Sequence, residues 1–210
     1  MIAIIGYGLG NVGAIRNMLS RIGAPCTITV DPDEIRAATH LLLPGIGSFD
    51  AGMERLHASG LVPLLNQRVL DERIPVLGIC LGMQLMTHGS AEGIAPGLGW
   101  VNAHCERFNE HPGDGLPLRV PHMRWNRVTP VRPTPLLDPS DPDPCWFYFT
   151  HSYHVVCRDP ALLAGTTQYR DDFCSMYHTG NIVGAQFHPE KSHRYGISLL
   201  TRFSQWTVTP

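Results

Sequence analysis

Through the first half of the chain, short unbroken apolar runs alternate with longer amphipathic stretches. The run Ile2–Ile5 has no polar break, the pattern of a strand covered on both faces. Asn11 stands where a helix can be capped, and Val12, Ile15, Leu19 and Ile22 recur on one helical face before Gly23. Residues 26–30 predict a second strand ended by Asp31-Pro32. Residues 40–43 predict a third, ended by Pro44-Gly45. Helical spacing follows around 49–58 and 61–71. Residues 76–79 predict a fourth strand that runs directly into a helix from Leu81. This alternation predicts an α/β fold, a mostly parallel central sheet with flanking helices of the flavodoxin-like kind.

The second half changes period. Residues 98–108 predict a strand after a glycine-rich turn, and 109–119 a polar loop. The stretch 129–145 is dense in proline and predicts irregular backbone. Residues 146–150, Tyr153–Cys157, Leu163–Tyr169 and 173–177 read as short antiparallel strands. Residues 182–187 form an apolar strand, and 194–206 a closing helix. The expected organisation is one domain over 1–206, with a smaller antiparallel β-rich part in its second half and a tail at 207–210.

Composition narrows the function classes. A length of 210 residues suits one large domain. Charged residues make 16% of the chain and the net charge is -2, so no strong field gathers nucleic acid or an anionic membrane. No stretch approaches the ~18–20 apolar residues that span a bilayer. The N-terminal residues read as a strand rather than a signal peptide. Six scattered cysteines without a CxxC pair suit reduced thiols, and a cytoplasmic location is expected.

Two stretches carry chemistry. In Gly78-Ile79-Cys80-Leu81-Gly82 an apolar strand meets Gly-x-Cys-x-Gly and then a helix. This is the cysteine form of the nucleophile elbow, a turn so tight that its flanks need glycine. It lifts Cys80 to the carboxyl end of the sheet. The helix N-terminus favours thiolate there, and the Leu81 N–H becomes an oxyanion donor. In Gln186-Phe187-His188-Pro189-Glu190 a second core strand gives out at a histidine. Pro189 restricts His188 to extended backbone, and residues two apart then point the same way. A thiol nucleophile needs an imidazole base, and the imidazole needs an acceptor that fixes its tautomer. Cys80, His188 and Glu190 are thus the candidate catalytic residues.

These stretches resemble the class I, triad-type glutamine amidotransferases. Pro44-Gly45-Ile46-Gly47 after the third strand matches the position of that family's second oxyanion donor, here the N–H of Ile46. Gln84 and His151-Ser152-Tyr153 match its glutamine-binding positions, with Gly47. Within the family the chain is most similar to the amidotransferase subunits of imidazole glycerol phosphate synthases. The similarity rests on Tyr7-Gly8-Leu9-Gly10-Asn11, Gly78 to Gln84, Pro121 to Asn126, Phe147 to Tyr153 and Gln186 to Ser192. It implies hydrolysis of L-glutamine and passage of ammonia to a (β/α)8 cyclase subunit, with no cofactor. It also implies a partner face that includes Asn11, Met123, Arg124, Trp125, Asn126 and Lys191. Gly6 and Arg124 stand where those subunits commonly carry aspartate and glycine. Similar subunits serve sugar amidotransferases of surface polysaccharides, so the destination of the ammonia stays open at this point.

Three other readings compete. Gly8-x-Gly10-x-x-Gly13 follows a strand and opens a helix, with Asp31 about twenty residues on, which fits a dinucleotide-binding turn and an oxidoreductase. His122, His151, His154, His188 and His193 could supply metal ligands, although their spacing matches no zinc pattern. On one strand His151 and His154 would face opposite sides. A retired amidotransferase kept as a scaffold should show loss of its nucleophile, and Cys80 is intact.

Overall fold

The computed structural model describes residues 1–111, 116–141 and 145–208. Part of the expected polar loop at 109–119, part of the proline-rich stretch and the end of the tail lie outside the described residues. The first half alternates strand and helix. It runs β1 (Ile2–Ile5), α1 (Val12–Arg21), β2 (Cys26–Thr29), α2 (Pro32–Ala37), β3 (His40–Gly45), α3 (Phe49–Ala58) and α4 (Val62–Asn66). Helix α4 widens into a π turn over Gln67–Asp71, and β4 (Val76–Cys80) then passes into α5 (Leu81–Leu85). The second half supplies β5 (Ala103–Arg107), β6 (His122–Pro130), β7 (Cys145–His151), β8 (Tyr153–Cys157), β9 (Leu163–Tyr169), β10 (Asp171–Thr179), β11 (Ile182–Ala185) and α6 (His193–Gln205).

The strands form one sheet in the order β2-β1-β3-β4-β11-β10-β9-β6-β7, with β8 on β10 and β5 on β8. The portion from β2 through β11 is parallel, and the portion beyond β11 is antiparallel. Alternation along β1 explains why a purely apolar run suits its place. Ala3 and Ile5 enter one buried cluster with Leu41 and Leu43, while Ile2 and Ile4 enter another with Leu42, Leu77 and Ile79. Both faces of the parallel portion are therefore covered, and the sheet can hold its strand ends rigid.

Several local expectations change. Asp31-Pro32 opens a helix rather than merely ending a strand: Asp31 accepts a hydrogen bond from the Asp33 N–H, and Pro32 occupies the first turn, where its missing N–H costs nothing. Asn11 sits at the N-cap of α1 but makes no side-chain capping bond. Strand β3 continues through Pro44-Gly45, because its pairing with β1 stops at Leu42 while pairing with β4 carries on to Gly45 opposite Cys80. The strand expected over 98–108 is confined to Ala103–Arg107. Strand β6 was not expected at all. Only His122 and Val128 are buried along it, so its sequence shows no alternation.

Candidate functional site

Strand β4 ends in a turn with little room. A Cβ on Gly82 would lie 1.9 Å from the Leu43 carbonyl oxygen, and one on Gly78 would lie 2.8 Å from the Gly82 backbone. The two glycines therefore let β3, β4 and α5 close on one another, and Cys80 is held at φ 52, ψ -109. A non-glycine residue in that region costs on the order of 1–3 kcal/mol, a strain that recurs at functional sites. Cys80 is buried, 7% exposed. Helix α5 has only five residues, so its electrostatic contribution comes from the first-turn N–H groups rather than a long dipole.

His188 arrives from β11, three residues past its end, and its N–H donates to the Tyr148 carbonyl of β7 at 2.9 Å. It is extended, φ -105 and ψ 95. A 3-10 turn over Pro189–Lys191, rather than continued strand, then brings Glu190 back. The expected pairing is present by this tighter route: His188 Nδ1 lies 2.8 Å from Glu190 Oε1, and both side chains are 1% exposed. The other ring nitrogen, Nε2, is buried without a hydrogen-bond partner of ordinary geometry. Burial alone would lower the histidine's pKa. Hydrogen bonding to Cys80 and Glu190, and the negative charge of both, outweigh it and push the imidazole up to about 10.

A cavity of about 300 Å³ opens on this group. Cys80, Leu81 and His188 line it together with Ile46, Gly47, Gln84, His151, Ser152 and Tyr153. Gln84 is fixed, since its Nε2 donates to the Tyr153 carbonyl at 3.0 Å and to Gln186 Oε1 at 3.0 Å. Gln186 Nε2 in turn donates to Cys80 Sγ at 3.7 Å. The Pro44 carbonyl at the head of the Gly45-Ile46-Gly47 segment accepts from the buried Tyr7 hydroxyl at 2.6 Å.

Glu92 also lines the cavity and escaped the sequence reading. One of its oxygens, Oε2, accepts from the Phe49 N–H at 2.8 Å. It lies on a loop without periodicity, and only the tertiary fold brings it here. Tyr7 escaped as a site residue for the same reason.

Outside the cavity, β6 presents Met123, 59% exposed, and Trp125, which stacks on His193 with ring centroids 5.5 Å apart. Arg124 is exposed and lies over the Tyr169 ring. Lys191 Nζ sits 5.5 Å from the Tyr148 ring centroid, and Asn11 is exposed. Asn126 differs from these neighbours: its amide turns inward and donates to the Gln168 carbonyl at 2.9 Å.

The rival readings find little support. A Cβ on Gly13 would touch nothing, whereas the third glycine of a dinucleotide fingerprint serves close helix–strand packing. Among the described residues no cluster of three or more His, Cys, Asp or Glu side chains is arranged to hold a metal. His151 and His154 do not alternate on one strand. The chain turns at Ser152 between β7 and β8, and both rings pack against Phe108, at 5.2 and 4.6 Å. No helix among the described residues is long and apolar enough to cross a membrane.

The chain is similar to known proteins in sequence and in fold. The family model for "Glutamine amidotransferase class-I" matches residues 3–204. Imidazole glycerol phosphate synthase subunit HisH 2 of Methanococcus maripaludis is 47% identical over 97% of this chain and 98% of its own length. The subunit of the same name from Pseudomonas aeruginosa is 41% identical over 97% and 98%. HisH of Bdellovibrio bacteriovorus is 41% identical over 98% of this chain and its full length. Among solved structures, a glutamine amidotransferase superposes with a TM-score of 0.74 at 15% identity, covering 97% of each chain. A chain in the structure of PurLQS from Thermotoga maritima superposes with a TM-score of 0.69 at 15% identity, with the same coverage. The mixed sheet, the glycine-flanked elbow and these matches along nearly the whole length have one explanation: the chain belongs to the class I glutamine amidotransferase family, among the HisH subunits of imidazole glycerol phosphate synthase.

Proposed function

We propose that residues 1–206 form one amidotransferase domain that hydrolyses L-glutamine and passes the ammonia to a (β/α)8 cyclase, as the glutaminase subunit of imidazole glycerol phosphate synthase. The observation that supports it most is the strained Cys80 and the buried His188–Glu190 pair on one cavity of about 300 Å³, which has room for glutamine.

In this reading the Cys80 proton already resides on His188 Nε2, and the thiolate sulfur attacks the side-chain amide carbon. The backbone N–H groups of Leu81 and Ile46 receive the oxyanion. Two preorganised donors of this kind are worth several kcal/mol, with ~2.7–4 kcal/mol lost when one is removed. The imidazolium then protonates the amide nitrogen, the C–N bond breaks, and ammonia leaves a thioester on Cys80. Water attacks the thioester as His188 takes its proton, and glutamate departs with the thiol restored. Glu190 holds the Nδ1 proton throughout, so that Nε2 alone exchanges protons. No cofactor enters this acyl transfer.

Recognition follows from the same walls. Glu92 supplies a carboxylate for the α-ammonium group. Gln84 has spent its N–H donors within the protein, which leaves Oε1 as an acceptor. Gly47 and the Ser152-Tyr153 turn close the other end. Met123, Arg124, Trp125, Asn11 and Lys191 form the face offered to the cyclase, with Asn126 behind it.

Replacing Cys80 by Ala tests the proposal. With the cyclase present, glutamine-dependent turnover should vanish while turnover on added ammonia persists, since nothing else in the cavity can form the thioester. Glutamine hydrolysis by the variant at near wild-type rate would refute the assignment.

A further inference from the structure

At the cavity, which His151 lines, two histidines outside the proposed chemistry are joined ring to ring. His122 Nδ1 lies 3.0 Å from His151 Nε2. His151 Nδ1 lies 2.9 Å from the Tyr153 carbonyl, and Asn126 Nδ2 lies 3.3 Å from His122 Nε2. His122 is fully buried and His151 is 7% exposed.

Counting donors leaves one arrangement of protons. The Tyr153 carbonyl can only accept, so His151 Nδ1 carries a hydrogen. With that ring neutral, His151 Nε2 is an acceptor, and His122 Nδ1 must donate to it. His122 Nε2 is then bare and accepts from Asn126. The Asn126 amide is itself oriented, because its oxygen accepts from the Arg127 N–H at 2.8 Å and its nitrogen also donates to the Gln168 carbonyl. Every polar atom in the row is paired, and each hydrogen bond runs in the same direction, from β6 toward the cavity.

We infer that Asn126, His122 and His151 form a tautomer-locked relay that positions the Ser152-Tyr153 turn for glutamine, with His122 and His151 as positioning residues of the glutaminase reaction. The inference rests on the proposed function and assigns to it residues that do not touch the reacting atoms. At its inner end the Tyr153 carbonyl accepts from both His151 Nδ1 and Gln84 Nε2, so the relay fills one lone pair and Gln84 the other. The turn and Gln84, which both line the cavity, are thereby tied together. At its outer end Asn126 lies on β6 beside Met123, Arg124 and Trp125, so a partner seated on that strand bears on the same row.

Packing holds the rings in place. His122 is sandwiched between Phe149 and Tyr169, with centroids at 4.8 and 4.0 Å, and His151 packs against Phe108 and Phe173 at 5.2 and 5.3 Å. Burial disfavours charge on both rings and lowers both pKa values, that of His122 to about 4 with help from Arg124, so the neutral forms hold at physiological pH.

Two measurements test this. Nitrogen-15 NMR of the ring nitrogens should find both rings neutral and protonated on Nδ1, the less common tautomer of a free histidine side chain. Either ring charged or protonated on Nε2 at neutral pH would overturn the relay. These tautomers are read whether or not glutamine is hydrolysed, so failure of the relay is told apart from failure of the glutaminase assignment. In the assembled enzyme, His122→Phe keeps the aromatic sandwich but removes the donor. The KM for glutamine should rise about tenfold, as follows when a buried acceptor is left unpaired, with kcat changed much less. His122→Asn places an amide N–H near the position of Nδ1 and should return KM toward the wild-type value. An unchanged KM in His122→Phe, or an Asn variant as impaired as the Phe variant with kcat falling in step, would show that His122 is packing alone.

Discussion

Glu190→Gln separates the role of the orienting carboxylate from that of the base it orients. The wild-type contact is 2.8 Å between two side chains that are each 1% exposed, so water neither screens it nor replaces it. The other carboxylate oxygen, Oε2, has no hydrogen-bond partner among the described residues, so His188 is the group that this charge serves. A hydrogen bond to a charged group contributes ~1.5–3 kcal/mol, and losing it in the transition state corresponds to a fall of about 10- to 150-fold in kcat/KM. If the new amide turns its oxygen to Nδ1, a neutral hydrogen bond of ~0.5–1.5 kcal/mol remains and the fall is nearer the lower figure, about five- to tenfold. If it turns its NH2 group instead, Nδ1 becomes an acceptor, and the ring can no longer hold a proton on both nitrogens. The loss then exceeds the upper figure. His188→Ala should be worse in either case, because it removes the proton carrier itself. The assay is glutamate release by the complex with the cyclase and its ligand, with ammonia-dependent turnover as the control for an intact partner. A Glu190→Gln enzyme within about twofold of wild type, where one lost hydrogen bond should cost tenfold, refutes the relay from Glu190 to Cys80. Losses equal to those of His188→Ala would assign Glu190 another task.

Gly47→Val should blunt activation by the partner more than it lowers the basal rate of the isolated subunit: Gly47 sits at φ 103 with open space around it, so valine strains the backbone beside the Ile46 donor without striking a neighbour. Glutamate release with and without the cyclase and its ligand measures both, and an unchanged activation ratio would mean that the backbone around Ile46 need not turn when the cyclase binds. Arg124→Gly should alter affinity for the cyclase or its salt dependence, since rim charges act mainly on association; calorimetry at two ionic strengths checks it. Stability should fall as pH rises from ~8.5 toward about 10, because His188 holds in the native state a proton that the thiol of the unfolded chain has by then released. Denaturant titration of Cys80→Ala should show a shallower slope over that window, and an identical slope would mean that the thiol does not sustain the protonated ring.

The fold was legible where burial was symmetrical. Runs such as Ile2–Ile5 are apolar because both sheet faces are covered, and their period needs no further interpretation. It was illegible where tertiary contacts supply what local sequence lacks. Strand β6 has two buried residues in nine, one of them a histidine, and its partners β7 and β9 lie well beyond it in the chain. Helix α2 was hidden because Asp-Pro signals a stop and a start with the same two residues, and only the backbone beyond decides which.

The candidate site divides along the same line. Cys80, Gly78 and Gly82 announce themselves because one backbone conformation requires all three within five residues. His188 and Glu190 announce themselves because the tautomer of a base needs a near neighbour. The sequence predicts extended backbone through both, whereas only His188 is extended and a 3-10 turn brings Glu190 back. The turn is the stiffer solution: Ser192 Oγ donates to the His188 carbonyl at 2.6 Å and accepts from the Tyr148 N–H at 3.0 Å, pinning the loop to β7. Glu92, Tyr7 and the His122–His151 row carry no comparable local constraint. Each depends on a partner 29 to 43 positions away, namely Phe49 for Glu92, Pro44 for Tyr7 and the ring of His151 for His122. A short stretch can encode the chemistry of the bond being broken, because nucleophile, base and orienter constrain their own neighbours. Glu92 and the Ser152-Tyr153 turn reach the same cavity only through contacts made across the folded chain, to Phe49 and to Gln84.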